Sequence, residues 1–128
     1  MILIPVLFLY GVFAYGQTES PAFNEVYRWI TEKDYFRAAA MFEPVKEELS
    51  ETERLVAGAF LDNAFNRLVS SQQQIDRLLG KWDGTERSLP DSLVMELYAI
   101  QEDNAVKMYD YAKARDAALV QWERFGHL

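Results

Sequence analysis

The sequence predicts an all-α protein of about six antiparallel helices that follow a hydrophobic leader. After residue 16, Gly and Pro are rare, and apolar residues recur at intervals of three and four, the spacing of helices with one buried face. No stretch alternates apolar and polar residues as a half-buried strand does. Helix-start signals recur along the same region, so short and sharply bounded helices are expected.

The first two helices are placed by local start and stop signals. Ser20-Pro21, an N-cap followed by proline, begins a helix that ends near Lys33. A second helix runs over about 34–49, and Pro44 inside it predicts a kink or an early end because proline removes a backbone donor. The residues expected to be buried are Phe23, Val26, Tyr27, Ile30, Ala38, Ala39, Phe42, Val45 and Leu49.

The third and fourth helices lie on either side of a break around Asn66. Ser50 and Glu53 have the spacing of a capping box, so the third helix is expected to begin at Glu51. Its buried stripe is Leu55, Val56, Ala59 and Phe60. The fourth helix carries Leu68, Ile75, Leu78, Leu79 and Trp82 on its buried face.

A polar loop over 83–88 separates these helices from the last pair. Pro90-Asp91-Ser92 starts the fifth helix, and Asp110 opens the sixth. The expected buried residues are Leu93, Leu97, Ile100, Ala105 and Met108 on the fifth helix, and Ala114, Ala118, Trp122 and Phe125 on the sixth. Asn104 lies on the apolar face of its helix, so it is expected to have a hydrogen-bonding partner.

A weak internal repeat joins the helices in pairs. Residues 34–38 and 110–114 share the pattern Asp-Tyr-x-basic-Ala, and 66–71 with Ile75 has the character of a degenerate third copy. The intervals, about 33 and about 43 residues, suit tetratricopeptide-like helical hairpins, of which at least three are usually needed for a stable stack. The alternative is a plain six-helix bundle in which the match is a coincidence.

The leader, residues 1–16, is uncharged and apolar, and it predicts a secretory signal peptide. Ala14 and Gly16 occupy the −3 and −1 places of a cleavage site, so the mature chain is expected to begin near Gln17 and to form one domain over 17–128. Only the amino terminus supplies positive charge ahead of the apolar run. The alternative is an uncleaved anchor that tethers a scaffold to the membrane.

Composition limits the classes of partner. The formal net charge of −7 at pH 7 argues against nucleic acid and against anionic membrane surfaces, both of which attract Lys and Arg clusters. The chain contains no cysteine, so an exported domain would rely on helix packing rather than disulfides. This usage predicts a bacterial periplasmic, cell-surface or extracellular protein, with no membrane contact after cleavage of the leader.

The sequence lacks a reactive constellation. The single histidine, His127, lies next to the carboxyl terminus, where it is poorly placed for a catalytic triad. Residues 83–85 contain the letters of the aspartic-protease signature in the wrong order and read as a turn. The glutamates over 43–53 are spread around their helices as a solvated surface would be. We therefore expect no catalytic residue, no cofactor and no metal site.

Stacked hairpins generally bind partners on the concave face lined by their odd-numbered helices. The exposed polar or aromatic residues expected on those helices are Arg28, Asn63, Arg67, Tyr98, Gln101 and Lys107. Arg67 and Tyr98 combine reach with a planar contact group. The alternative is that Tyr98 belongs to the core and Arg67 forms a surface ion pair.

A set of helix-packing residues carries a resemblance to a known family. These are residues 60–67, followed by Ser71, Ile75, Leu78-Leu79, 89–93, 97–98 and 109–111. This pattern resembles the helical N-terminal region of exported retropepsin-like aspartic proteases of Bacteroidetes-type bacteria. The resemblance implies helical hairpins placed before a β-rich protease domain with Asp-Thr-Gly. The sequence ends at Leu128 without such a domain, so no catalytic residue is carried over.

The expected function is that of a noncatalytic, exported helical-repeat module that binds a protein or peptide segment. The alternative, implied by the resemblance, is the helical part of a retropepsin-like aspartic protease that acts in cis or in trans with a protease domain. In that case an enzyme would arise only if a protease domain continued beyond Leu128.

Overall fold

The computed structural model describes residues 20–81 and 89–126, and within them the all-α prediction is confirmed. The described part contains six α-helices, one short 3₁₀ helix and no strand. The predicted leader, Trp82, the 83–88 loop and His127 lie outside the described residues. The elements are α1 (Pro21–Thr31), α2 (Tyr35–Val45), the 3₁₀ helix (Lys46–Glu48), α3 (Glu51–Ala64), α4 (Leu68–Lys81), α5 (Asp91–Lys107) and α6 (Tyr111–Phe125).

The predicted starts of α1 and α3 are confirmed by their caps. The Ser20 side chain accepts a hydrogen bond from the Phe23 amide at 3.1 Å, and Pro21 occupies the first turn. Ser50 and Glu53 form the expected capping box, with reciprocal bonds of 3.1 and 2.9 Å. These side chains satisfy amides that the first turn of a helix leaves without a carbonyl partner.

One carboxylate caps two helices. Glu53, which is buried, accepts from the Ser50 amide through Oε1 and from the Ser20 amide through Oε2, each at 2.9 Å. The Ser20 hydroxyl lies 3.3 Å from the same Oε2. The start of α1 is thereby fixed against the start of α3, although 33 residues separate the two partners.

The early end predicted for the second helix is also confirmed. α2 ends at Val45, directly after Pro44, and a 3₁₀ turn follows. Ala38 and Leu49 are fully buried, whereas Ala39, Phe42 and Val45 are only half-buried. Proline cannot donate to the helix, so the chain tightens into a turn and then descends to α3.

Three hairpin turns have the same backbone geometry. Lys33, Asn66 and Tyr109 adopt φ values of 62°, 61° and 62°. The next residue in each case donates to the carbonyl five positions earlier, from Asp34 to Trp29, Arg67 to Asp62 and Asp110 to Ala105, at 2.9, 2.7 and 2.8 Å. This is the Schellman arrangement, in which a left-handed residue reverses the chain after a helix.

The residues after these turns match as well. The Asp34 and Asp110 side chains accept from the Arg37 and Lys113 amides, both at 3.2 Å. Four positions after the first residue of each new segment lies a small buried residue: Ala38, Ser71 and Ala114. A small side chain at this position lets the two helices of a hairpin approach closely.

The hairpins pack in chain order. Each pair joined by one of the three turns, α1 with α2, α3 with α4 and α5 with α6, makes extensive contacts. α3 also contacts α1, α2 and α5, and α4 contacts α5. The core runs through these junctions, with Phe23, Val26, Val56, Ile75, Leu78, Leu93 and Leu97 almost fully buried.

The sixth helix differs from the prediction. Trp122 is 76% exposed rather than buried, and Ala117, not Ala118, is the fully buried alanine. Phe125 and Ala114 are buried as predicted. α6 is the last described helix and packs mainly on α5, so its buried stripe is narrower than that of a helix covered on two sides.

Smaller differences follow the same reasoning. The residues predicted to be buried but only half-buried are Phe60, Leu68, Leu79 and Met108. Each lies at the border of a packed face, and Phe60 and Leu79 still pack against the core. Leu89 and Val94, which the periodicity did not single out, are almost fully buried.

Candidate binding groove

A groove of about 900 Å³ opens between α1 and α5, and side chains of α3 form its floor. It therefore draws on the first helix of each of the three hairpins. The α1–α2 turn closes one end through Glu32, Lys33 and Tyr35. The remaining lining residues are Tyr27, Arg28, Ile30 and Thr31 of α1, Phe60 and Asn63 of α3, and Ser92, Leu93, Met95, Glu96, Ala99, Ile100 and Asp103 of α5.

The contribution of α5 is one continuous helical face. Five lining residues have the spacing of side chains on the same side of a helix: Ser92, Met95, Glu96, Ala99 and Asp103. Small or short side chains occupy two of these positions, and this keeps the groove open. The carboxylates of Glu96 and Asp103 add negative charge along that wall.

Tyr27 lies at the base of the groove and is only 8% exposed. Its ring stacks on Phe23 with centroids 5.5 Å apart and meets Phe60 edge-on at 6.0 Å. The Tyr27 hydroxyl makes no hydrogen bond to a described residue, and it is not closed off from solvent. Burial raises the pKa of Tyr27 to about 12, and the negative charge of Glu96 contributes to the rise. At neutral pH this phenol is a hydrogen-bond donor.

The raised pKa of Tyr27 predicts a loss of stability in alkali. Below the ordinary value of 10.0 the phenol is protonated in both the folded and the unfolded chain. Between pH 10.0 and about 12 only the unfolded chain loses this proton, so the free energy of unfolding falls, by about 2 kcal/mol over the interval. Urea unfolding at pH 9 and at pH 11.5 measures the difference.

Tyr27→Phe removes this component, because phenylalanine keeps the ring packing and has no proton to lose. Tyr111→Phe is the control, since Tyr111 is 62% exposed and does not line the groove. We expect the free energy of unfolding to fall less between pH 9 and pH 11.5 in the Tyr27→Phe variant than in the wild type and in the control. Equal losses in all three proteins would contradict the interpretation.

Asn63 connects the groove floor to α5. Its Nδ2 donates to Asp103 Oδ2 at 2.8 Å and to Asn104 Oδ1 at 2.9 Å. Lys107 Nζ lies 2.8 Å from the same Asp103 oxygen. Partial burial alone would raise the pKa of Asp103, but hydrogen bonds from Lys107 and Asn63 and the charge of Lys107 together hold it below its ordinary value. Asp103 is therefore ionised at neutral pH.

Asn104 is fully buried and continues this network into α4, so the expectation that it has a partner is confirmed. Its Nδ2 donates to Ser71 Oγ at 3.1 Å and lies 3.4 Å from Gln72 Oε1. Ser71 in turn donates to the Ala59 carbonyl at 2.8 Å. One amide side chain thus joins α3, α4 and α5 beneath the groove.

The α1 wall is basic, but its arginine is already engaged. Arg28 forms an ion pair with Glu25 at 3.7 Å and lies 4.7 Å from the centre of the Trp29 ring. Arg37 of α2 lies over the same ring at 4.2 Å. These contacts hold the arginines by cation–π attraction against the indole.

Three of the six sequence-predicted binding residues are at or beside the groove. Arg28 and Asn63 line it, and Lys107 adjoins it through the Asp103 ion pair. Gln101 is half-buried and accepts from Gln72 at 3.0 Å, so it belongs to the junction of α4 and α5.

The other two predicted residues lie elsewhere. Tyr98 is half-buried against the core, as in the alternative interpretation. Arg67 pairs with Asp62 at 2.8 Å, also as in that alternative. Arg67 lines a second groove, of about 700 Å³, between α2, α3 and α4. Two ion pairs lie at that second groove, Lys46 with Glu43 and Arg67 with Asp62.

Sequence reasoning missed Tyr27, Glu96 and Asp103 as groove residues. Tyr27 was expected in the core, and its ring is indeed buried there. A signal for the other two was present, because they share the helical face of Ser92 and Ala99. That face could be assigned to a groove only once the position of α5 beside α1 was known.

Within residues 20–81 and 89–126 no group of three or more His, Cys, Asp or Glu side chains is arranged to hold a metal ion. None of the helices described there combines the length and apolar character needed to span a membrane. Comparison of the chain with protein-family models, curated proteins and solved structures finds no match.

Proposed function

We propose that this protein is a noncatalytic, exported module of tetratricopeptide-like hairpins that holds a protein or peptide segment in the groove between α1 and α5. The observation that carries the proposal is the groove itself, which three successive hairpins build from their first helices. The Tyr27 hydroxyl at its base has no hydrogen-bond partner among the described residues and is not closed off from solvent.

The packing order supports the repeat interpretation. Each odd-numbered helix contacts the next odd-numbered helix, and each even-numbered helix contacts the odd-numbered helix that follows it. The three left-handed turn residues, Lys33, Asn66 and Tyr109, give the same intervals of 33 and 43 residues as the sequence repeat. A tetratricopeptide unit has about 34 residues.

Export is proposed from the leader over 1–16, and sequencing of the exported protein tests it by a start near Gln17. The net charge of −7 supports a protein or peptide partner over nucleic acid. The resemblance of residues 60–111 to the helical region of exported aspartic proteases stays a prediction. It makes a protease domain, in cis or in trans, one partner worth including in binding tests.

The binding proposal is tested by filling the groove. Random 12-residue peptides displayed on phage are selected on the purified protein, and the selected peptides are titrated by fluorescence anisotropy. Ala99→Trp places a large ring in the groove, because Ala99 is exposed and lines it. Ala112→Trp is the matched control, at an exposed position of α6 outside the groove.

We expect the Ala99→Trp variant to bind the selected peptides at least tenfold more weakly, with the control unchanged. Circular dichroism checks that both variants remain helical. Failure to select any peptide, or equal binding by the two variants, would overturn the proposal.

A further inference from the structure

The base of the groove contains a hydrogen-bond donor that has no protein acceptor among the described residues. The Tyr27 side chain is more than nine-tenths buried, but its hydroxyl is not closed off from solvent and lies where the residue lines the groove. Its ring packs against Phe23 and Phe60. A bound segment that offers a carbonyl oxygen at this point would accept from the hydroxyl in place of solvent.

The α5 wall contains a carboxylate without a cation. Glu96 is exposed, lines the same groove and forms no ion pair with any described residue. Glu96 and Tyr27 line the same groove, and the negative charge of Glu96 adds to the raised pKa of the phenol. The nearby cations have partners of their own, since Arg28 pairs with Glu25 and Lys107 with Asp103.

At the α1–α2 turn Glu32 and Lys33 are adjacent in the chain and carry opposite charges, so together they add no net charge to the groove. Of the two acidic residues on the α5 wall, Asp103 pairs with Lys107, and Glu96 has no ion pair among the described residues. The net charge of −7 on the chain acts in the same direction, because a long-range negative field draws cationic segments toward the protein.

Between these polar groups the groove surface is apolar. Phe60 on the floor lies beside Tyr27, and Ile100 and Met95 line the groove from α5. An aliphatic or aromatic side chain of a ligand would cover this surface, and a methionine can adapt to its shape.

We propose that the groove selects a basic peptide segment of a partner protein. A lysine or arginine of that segment pairs with Glu96, an adjacent apolar side chain covers Phe60 and Ile100, and a main-chain carbonyl accepts from the Tyr27 hydroxyl. This inference rests on the proposed function, because it specifies the ligand of the same groove.

Three fluorescent 12-residue peptides test the proposal. They share the same leucine and glycine positions and differ only in carrying lysine, glutamate or glutamine at the remaining positions. Titration by fluorescence anisotropy at about 0.05 M and about 0.3 M salt, where the Debye length is about 14 Å and about 6 Å, separates charge pairing from apolar contact. We expect the lysine peptide to bind at least tenfold more tightly than the other two at the lower salt concentration.

Variants of the groove assign the contacts. Glu96→Gln weakens binding of the lysine peptide about tenfold and leaves binding of the glutamine peptide unchanged. Glu123→Gln, at an exposed position of α6, changes the binding of neither peptide. Tyr27→Phe weakens the lysine and glutamine peptides alike, about threefold to tenfold, because the carbonyl contact does not depend on ligand charge. Thermal unfolding of each variant checks that the fold is retained.

The inference is overturned if the glutamine or glutamate peptide binds as tightly as the lysine peptide, or if Glu96→Gln and Glu123→Gln behave alike. If such peptides bind and Ala99→Trp still blocks them, the groove function stands and only the basic preference fails. If no peptide is blocked by Ala99→Trp, the proposed function itself fails.

Discussion

Replacing Asn104 by alanine lowers the free energy of unfolding by about 3 kcal/mol. The Asn104 side chain is fully buried, accepts from Asn63 and donates to Ser71. Without it the Asn63 amide loses one acceptor, Ser71 loses a donor, and a small cavity remains. Buried polar groups without partners each cost about 1–3 kcal/mol, and the loss of volume adds to that. Urea unfolding at pH 7 measures the effect.

Two further variants separate hydrogen bonding from volume. Asn104→Leu fills the space but cannot replace the hydrogen bonds. We therefore expect it to lower the free energy of unfolding about as much as Asn104→Ala does. Asn24→Ala is the control: Asn24 is half-buried on α1, and its side chain makes no hydrogen bond to the described residues. Its change is expected to stay within about 0.5 kcal/mol. Equal effects of Asn24→Ala and Asn104→Ala would contradict the role given to the network.

Replacing Glu53 by alanine destabilises the protein by about 2–4 kcal/mol, since one buried carboxylate caps both α1 and α3. Each of the two amide contacts, to Ser20 and Ser50, is 2.9 Å long. Hydrogen bonds to a charged acceptor contribute about 1.5–3 kcal/mol each. The start of α1 should also open more readily. Faster hydrogen exchange of the α1 amides measures this.

Glu53→Gln gives a graded result. The glutamine side chain has one carbonyl oxygen, so it can satisfy one of the two amides while its NH₂ faces the other. We expect Glu53→Gln to lower the free energy of unfolding by about half as much as Glu53→Ala does. The matched control is Glu47→Gln, an exposed glutamate of the 3₁₀ helix, whose stability should match the wild type. A Glu53→Gln variant as stable as Glu47→Gln would show that the double cap contributes nothing.

The helix boundaries could be predicted because their causes are local. Ser20-Pro21 and the pair Ser50 and Glu53 hold their partners within three residues, and Pro44 removes its own donor. The buried faces of α1 follow from spacing alone. The second role of Glu53, the bond to Ser20, spans 33 residues and has no signature in either segment.

The candidate site could be predicted only in part, because it depends on how the hairpins are placed. Arg28 and Asn63 were found from the rule that odd-numbered helices face a ligand. The same rule selected Tyr98 and Gln101, yet α5 turns those side chains toward α4 and the core. A helix has several faces, and composition does not say which neighbour covers each one.

Trp122 shows the same difficulty at the end of the described chain. A tryptophan at helical spacing after Ala114 and Ala118 is typical of a core position. Its burial would require a further element on the outer face of α6, and among the described helices α6 packs mainly on α5. Periodicity identifies a face that is suited to burial, but it does not supply the partner.

Asn63 belongs to the groove floor and to the interhelical network at once. Under the proposed function, a substitution at Asn63 would change the groove and loosen the junction of α3 with α5 together, so its stability cost would oppose it. Glu96 and Ala99 on the wall are exposed, so substitutions there are expected to cost little stability. Under that proposal, a change of ligand preference is less costly on the α5 wall than on the floor.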